Sequence, residues 1–411
     1  MLTDKEPQRP GGSGMSAPSL RIAMVGTRGV PARYGGFETA VEEIGSRLVE
    51  RGHRVRVYCR AGSDEKRVSY RGMELVTLPA VRRRELETLS HTALSSFHLV
   101  FHRTDVALVF NAANAPLLPL IRIAGIPVAT HVDGLEWRRA KWGTWGRRYY
   151  RWAERAAVRQ SDALIADSYG IRDYYEEEFG ARSRYIAYGA PILDDVSSSR
   201  LHELDLAPAG YHLVVARFEK ENHVLEIVEG FRRSASSRPL VVVGSAPYAN
   251  DYQAAIRGAA AGDDRIRILG PVWDQPLLDQ LYRNAFAYLH GHSVGGTNPS
   301  LLRAIGASAP TIAIDVPFNR EVLGDSGAYF AAGRDLAELL ERAELDPAAT
   351  RARGERGRRR AESYTWDAVA ADYETLARDL HQGRTPGPVR GAARQHARAV
   401  AVPTQAGAAD G

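Results

Sequence analysis

His290 to Ala304 reads HGHSVGGTNPSLLRA, and its order of residue types fixes the fold around it. The apolar run Ala285–Leu289 reads as a strand that ends in His-Gly-His. A loop then sets Gly295, Gly296, Thr297 and Asn298 before Pro299, a residue suited to the first turn of a helix. Leu301, Leu302 and Ile305 continue that helix. Small residues let backbone N–H groups approach a ligand, and the helix N-terminus adds partial positive charge. Such a turn is built for an anion, most often a phosphate. The plain alternative is a strand–loop–helix turn with no ligand.

The same unit recurs on both sides of this stretch. Strands are expected at Arg21–Gly26, Arg54–Cys59, Glu74–Leu78, Ala107–Phe110, Pro127–His131, Ala163–Asp167 and Arg184–Tyr188. A second series follows at Tyr211–Phe218, Leu240–Gly244, Ile266–Leu269, Ala285–Leu289 and Thr311–Asp315. Helical stretches separate them; in 37–51, Ala40, Val41, Ile44 and Leu48 share one face, and Gly52 stops the helix. Strands alternating with helices predict parallel sheets of α/β type. Ser197 to Gly210 is polar and broken by Pro208, and it reads as a linker between two lobes. The expected organisation is a lobe over 20–195, a second over 210–360 and an amphipathic helix over 361–382. The ends, 1–19 and 383–411, are expected to be disordered. Two doubly wound sheets in sequence leave a cleft facing the carboxyl ends of their strands.

A chain of 411 residues, 44% hydrophobic and 25% charged, is large enough for two cores. Cys59 is the only cysteine, so no intramolecular disulfide can form, and its apolar run makes it a buried small side chain rather than a nucleophile. No apolar run reaches the roughly 18 residues of a membrane span. The first 19 residues lack the apolar segment of a secretory signal, so a cytoplasmic location is expected. The net charge of +5 is concentrated: 138–159 holds eight Arg or Lys against one Glu, interleaved with Trp142, Trp145, Tyr149, Tyr150 and Trp152. Basic residues with aromatic anchors suit an anionic membrane surface; a solvated helix with its aromatics turned inward is the alternative. Arg82–Arg84 adds a second basic cluster. No nucleic-acid partner is expected.

Four segments fall at strand ends, where the cleft would gather them. GTRGVPARYGGFE (26–38) lacks dinucleotide spacing, and Gly35-Gly36 open a helix. THVDGLEWRRAKW (130–142) crowds His131, Asp133 and Glu136 beyond a strand, residues able to bind hydroxyls or move protons. VVARFEKENH (214–223) puts Arg217 at a strand mouth, where a guanidinium can make paired bonds to a diphosphate, with Lys220 beside it. DVPFNREVLGDSG (315–327) follows the opening segment.

Together GTRGVPARYGGFET, HVDGLEWRRAKW, RFEKENH, GHSVGGTNPSLL and NREVLGDSG resemble glycosyltransferase family 4, enzymes of the GT-B fold. Within it the chain is most similar to bacterial rhamnosyltransferases of polysaccharide assembly. The resemblance implies transfer of a sugar, L-rhamnose from dTDP-L-rhamnose, to a lipid-linked or polymeric saccharide with retention of configuration. It implies neither metal nor cofactor, and a site of action at the inner face of the membrane. By the same carry-over Arg217 holds the diphosphate, Gly296 to Asn298 present amides to the donor, and His131 lies near the reaction centre. Gly35, Gly36, Lys220, Asn222, Gly295, Thr297 and Arg303 complete the donor side, and Asp133 and Glu136 are placed for acceptor contact or proton handling. The helix over 364–380 is expected to cross back onto the first lobe. Three positions depart from the wider family. Asn222 replaces its lysine, and Gly295 and Arg303 replace its two glutamates. An arginine cannot accept bonds from ribose hydroxyls, as the second glutamate would. A non-catalytic nucleotide- or saccharide-binding protein is therefore the rival reading, and a nucleotide-sugar epimerase a second.

Overall fold

Two parallel sheets organise the chain, in a computed structural model that describes residues 18–385 and 387 except 33–34, 63–66, 82–85, 133, 140–141, 247–250 and 332. The first lobe runs β1 (Arg21–Val25), α1 (Gly36–Glu50), β2 (Arg54–Arg60), β3 (Ser69–Tyr70), β4 (Met73–Leu78), α2 (Glu87–Phe101) and β5 (Val106–Phe110). It continues with α3 (Leu118–Ile123), β6 (Val128–Val132), α4 (Thr144–Gln160), β7 (Ala163–Ala166), α5 (Tyr169–Phe179) and β8 (Arg184–Tyr185). Its eight strands lie in the order β3-β4-β2-β1-β5-β6-β7-β8. Only the β3–β4 pair is antiparallel.

The second lobe begins β9 (His212–Val215), α6 (Val224–Arg232), β10 (Leu240–Val243), α7 (Asp251–Ala260), β11 (Ile266–Gly270) and α8 (Gln275–Arg283). It closes with β12 (Ala287–His290), α9 (Pro299–Gly306), β13 (Thr311–Ile314), α10 (Pro317–Leu323), β14 (Gly327–Phe330) and α11 (Gly333–Leu345). Its sheet order is β11-β10-β9-β12-β13-β14. Two further helices follow, α12 (Pro347–Ala361) and α13 (Trp366–His381).

The central strands β5 and β6 are buried at every position, as strands covered by helices on both faces must be. Helix α1 buries Ala40, Val41, Ile44 and Leu48. It lies against α13, whose Trp366, Val369, Tyr373, Leu376 and Leu380 are buried. One continuous core holds residues of both lobes, from Ile22 and Tyr188 to Leu301 and Trp366. At about 25 cal/mol per Å² of apolar surface removed from water, that shared core holds the two lobes together at their base.

Several expectations are corrected. The helix expected over 361–382 starts later: Ala361 ends α12, a short 3-10 turn spans Glu362–Tyr364, and Thr365 caps α13 by accepting the Ala368 N–H at 3.4 Å. The expected linker is not loose. Leu201 is buried, and Arg200 reaches Asp274 at 2.7 Å and Glu203 at 2.7 Å. The strand expected over Tyr211–Phe218 stops at Val215, and β8 covers only two residues of Arg184–Tyr188. The strands β3 and β14 had no clear apolar run. Most of the two ends expected to be disordered, together with Arg82–Arg84, lies outside the described residues.

Candidate functional site

Strands β9 and β12 are parallel neighbours, so their carboxyl ends open on the same side, and the two segments that leave them are stitched together. Asn222, nearly buried, donates through Nδ2 to the Arg217 carbonyl at 2.8 Å and accepts from His292 Nδ1 at 2.8 Å. The Ser293 amide donates to the Glu221 carbonyl at 2.9 Å. Asn222 therefore fixes the Arg217 loop to the segment that leads into the glycine turn. Gly291 is obligatory there, since a Cβ would stand 2.2 Å from the Asn222 carbonyl oxygen.

Arg217 itself is exposed, its guanidinium 3.4 Å from Glu219, and Lys220 is exposed as well. His290 and His292 are buried and stay neutral. Burial pushes His290 down to about 3. His292 is held well below the usual imidazole range by burial first, and the cationic Arg139 and Arg217 act in the same direction. Arg139 of the first lobe and Arg217 of the second thus act on one imidazole from opposite sides of the cleft.

Gly295 adopts φ +134°, a conformation open to glycine. Gly296 and Thr297 are buried because the first lobe closes over them. The Thr297 hydroxyl donates to the Asp167 carbonyl at 2.5 Å. A Cβ on Gly296 would lie 1.8 Å from Asp167 Oδ1, and one on Gly36 would lie 3.1 Å from Pro299 Cγ. Asn298 caps α9, accepting the Ser300 N–H at 2.9 Å. Gly35 stands at the start of α1, with no side-chain cap of its own. A second clasp joins the lobes where Glu321 Oε2 accepts the Tyr169 N–H at 2.9 Å.

Across from the turn, at the end of β6, His131 is 2% exposed. Its Nδ1 lies 2.8 Å from the Tyr373 hydroxyl of α13, and its Nε2 lies 3.9 Å from Asp167 Oδ2. Phe37 meets the ring edge-on at 5.1 Å. Glu136 is tied down: it pairs with Arg139 at 2.6 Å and accepts from Trp142 Nε1 at 3.4 Å. That pairing orients Arg139. Asp133 lies outside the described residues.

Arg303 faces α8, where its guanidinium bonds the Asp279 carboxylate. The positive charge that departs from the family pattern is thus paired within the lobe. The structure brings His131, Gly36, Gly296, Thr297 and Asn298 together. It places Arg217, Lys220 and Asn222 on the adjoining loop, and it sets Arg303 in an ion pair. Asp167 and Tyr373 were missed; one is a lone acid at a strand end, the other sits in the apolar stripe of a helix. Cys59 is buried, and burial pushes its thiol up.

Comparison with known proteins bears on this geometry. Residues 35–189 match the family model described as a glycosyl transferase 4-like domain, and residues 209–360 match that of glycosyl transferases group 1. Comparison with curated proteins gives no match. Among solved structures, a sucrose-phosphate synthase from Thermosynechococcus elongatus is similar at 19% identity and TM-score 0.75, over 88% of this chain and 99% of that one. HepE from Anabaena, in complex with UDP-glucose, aligns at 16% identity and TM-score 0.72, over 87% of this chain and 100% of that one. A UDP-forming α,α-trehalose-phosphate synthase from Burkholderia xenovorans, with glucose-6-phosphate bound, aligns at 15% and TM-score 0.70, over 87% and 100%. The shared fold is two parallel-sheet α/β domains of GT-B type.

Proposed function

We propose, on the premise that the chain is a glycosyltransferase of the GT-B type, that it moves L-rhamnose from dTDP-L-rhamnose to a lipid-linked or polymeric saccharide with retention of anomeric configuration. The observation that carries this reading is the stitched pair of loops at the ends of β9 and β12, with His131 opposite. Arg217, assisted by Lys220, would hold the diphosphate. The amides of 296–298 and the α9 N-terminus would add positive potential where charge grows on the departing group. Fixed donors of this kind stabilise the leaving diphosphate without reorganising during the reaction. Closure of the lobes would exclude water from the reacting carbon.

The acceptor side belongs to the first lobe, and its surface suits a membrane-bound saccharide. On α4, Trp145 and Trp152 are exposed beside Arg147, Arg148 and Arg151. Phe97 and Phe101 of α2 and Ile123 of α3 are exposed too, on helices that pack against the same 112–117 turn as α4. An apolar and cationic surface of this kind would dock on anionic lipid from the cytoplasmic side. No helix among the described residues is long and apolar enough to cross a membrane.

Turnover tests the reading. The full chain is incubated with dTDP-L-rhamnose and with UDP-glucose, with and without lipid-linked saccharide, and the anomeric configuration of the product is read by NMR. Acceptor-dependent release of the nucleoside diphosphate with a retained anomer is expected. Binding without turnover would favour the non-catalytic reading that the loss of glutamate at 303 motivates. Isomerisation of the nucleotide sugar without acceptor would favour an epimerase.

A further inference from the structure

Two neighbouring side chains in the closed cleft each carry a buried polar atom without a hydrogen-bond partner among the described residues. His131 Nε2 and Asp167 Oδ1 are both buried and unpaired among the described residues, and the two side chains are 2% and 3% exposed. Buried polar atoms are nearly always satisfied, because leaving one unpaired carries its full desolvation cost. The two side chains leave the neighbouring strands β6 and β7, with Nε2 3.9 Å from Asp167 Oδ2 and the unpaired Oδ1 turned toward Gly296 of the other lobe, an arrangement suited to a polar ligand group.

The protonation pattern says which group. Burial and the nearby Asp167 charge hold the Tyr373 phenol well above its usual range, so it keeps its proton. Its hydroxyl can donate to His131 Nδ1, 2.8 Å away, and in the tautomer that accepts this bond the ring proton sits on Nε2. This tautomer follows from the hydrogen-bond network. Nε2–H is a donor and the nearer carboxylate oxygen, Oδ2, an acceptor, 3.9 Å apart. That gap is too long for a direct hydrogen bond, yet a single oxygen can sit about 2.8 Å from both ends. A hydroxyl, which accepts one bond and donates another, can take the His131 donor and bond the Asp167 carboxylate together.

Asp167 also abuts the donor-side turn. Its Oδ1 fills the space where a side chain at 296 would project, and its carbonyl holds Thr297. The turn itself offers no side-chain acceptor at Gly295 or Gly296. We infer that Asp167 is a specificity-determining residue that, with His131 Nε2–H, captures one hydroxyl of the donor sugar when the lobes close. This inference rests on the transferase reading given above, and it assigns the carboxylate for sugar recognition to the lobe opposite the diphosphate.

The test compares the full chain with its Asp167→Asn variant by calorimetry, using dTDP-L-rhamnose and UDP-glucose, each against its free nucleoside diphosphate. The variant should bind at least one of the two nucleotide sugars at least tenfold more weakly and the free diphosphates within twofold. Its melting temperature without ligand should be equal or higher, because the Asp167 Oδ1 makes no hydrogen bond for the change to remove. Unchanged affinity for both nucleotide sugars overturns the assignment. Equal weakening of sugar nucleotide and free diphosphate, or a lowered melting temperature, makes Asp167 a structural residue and overturns it too. A wild-type chain that binds neither nucleotide sugar nor diphosphate fails the transferase reading itself, a result separate from any effect of the variant, and takes this inference with it.

Discussion

Arg303 shows that a side chain's position in a motif does not reveal its partner in the fold. At that position the family pattern expects a ribose-binding acceptor, yet the guanidinium is spent on Asp279 of the neighbouring helix, both side chains only about one-fifth exposed. Arg303→Glu would therefore set two carboxylates against each other. It should lower stability by about 2 kcal/mol, between the roughly 0–1 kcal/mol of an exposed pair and the roughly 3–5 kcal/mol of a fully buried one. The double variant Arg303→Glu with Asp279→Arg should regain most of that loss in a chemical-denaturation cycle. Additive losses would show that the two residues do not interact.

Glu154 makes the second residue-scale prediction. Burial pushes its carboxyl up to about 7 against the hydrogen bond from Tyr174. The folded state holds this proton more tightly than the unfolded chain, so the group favours folding at low pH. That contribution is lost as pH rises from the unfolded value of 4.5 through about 7, at a cost on the order of 3 kcal/mol. Glu154→Gln should remove this slope, leaving the variant the more stable protein at pH 8 and roughly equal at pH 5. Parallel denaturation curves for the two proteins at both pH values would contradict it.

At the scale of elements, the parallel strands were legible because each is a short apolar run bounded by polar residues. The loops at their carboxyl ends were legible because the topology fixes which ends share a face. Strand β14 escaped notice because GAYF is four residues long and opens on glycine. The break before α13 escaped notice because the amphipathic pattern runs through the 3-10 turn. Asp167 escaped notice for a physical reason: its meaning comes from β6 lying beside β7 and from the opposite lobe, neither of which is a spacing in sequence. Glu136 stood out as an acid in a crowded loop, but the ion pair that occupies it is visible only in three dimensions. The turn before α9 carries the third prediction. A methyl at 296 would collide with the Asp167 carboxylate, so Gly296→Ala should hold the lobes apart. The KM for the donor should rise at least tenfold while the free lobes keep their secondary structure by circular dichroism. Unchanged KM would mean that the closure described here is not the working state.

On the scale of the whole molecule, one core runs through both lobes, and α13 returns from the second lobe to lie on α1. The cleft is therefore flanked by a fixed base and by a few polar clasps, Thr297 to Asp167 and Glu321 to the Tyr169 amide. Clasps of this number can open without unfolding either lobe, and closing them around a donor brings the first lobe's His131 to the second lobe's turn. The central claim is that a nucleoside diphosphate lies in this gap against Arg217. Calorimetric titration of dTDP and UDP into the native chain and its Arg217→Ala variant tests it most directly. A charge-assisted pair of bonds lost from a diphosphate should weaken binding by at least tenfold, about 1.4 kcal/mol or more. Affinity that is the same in both proteins would contradict the claim.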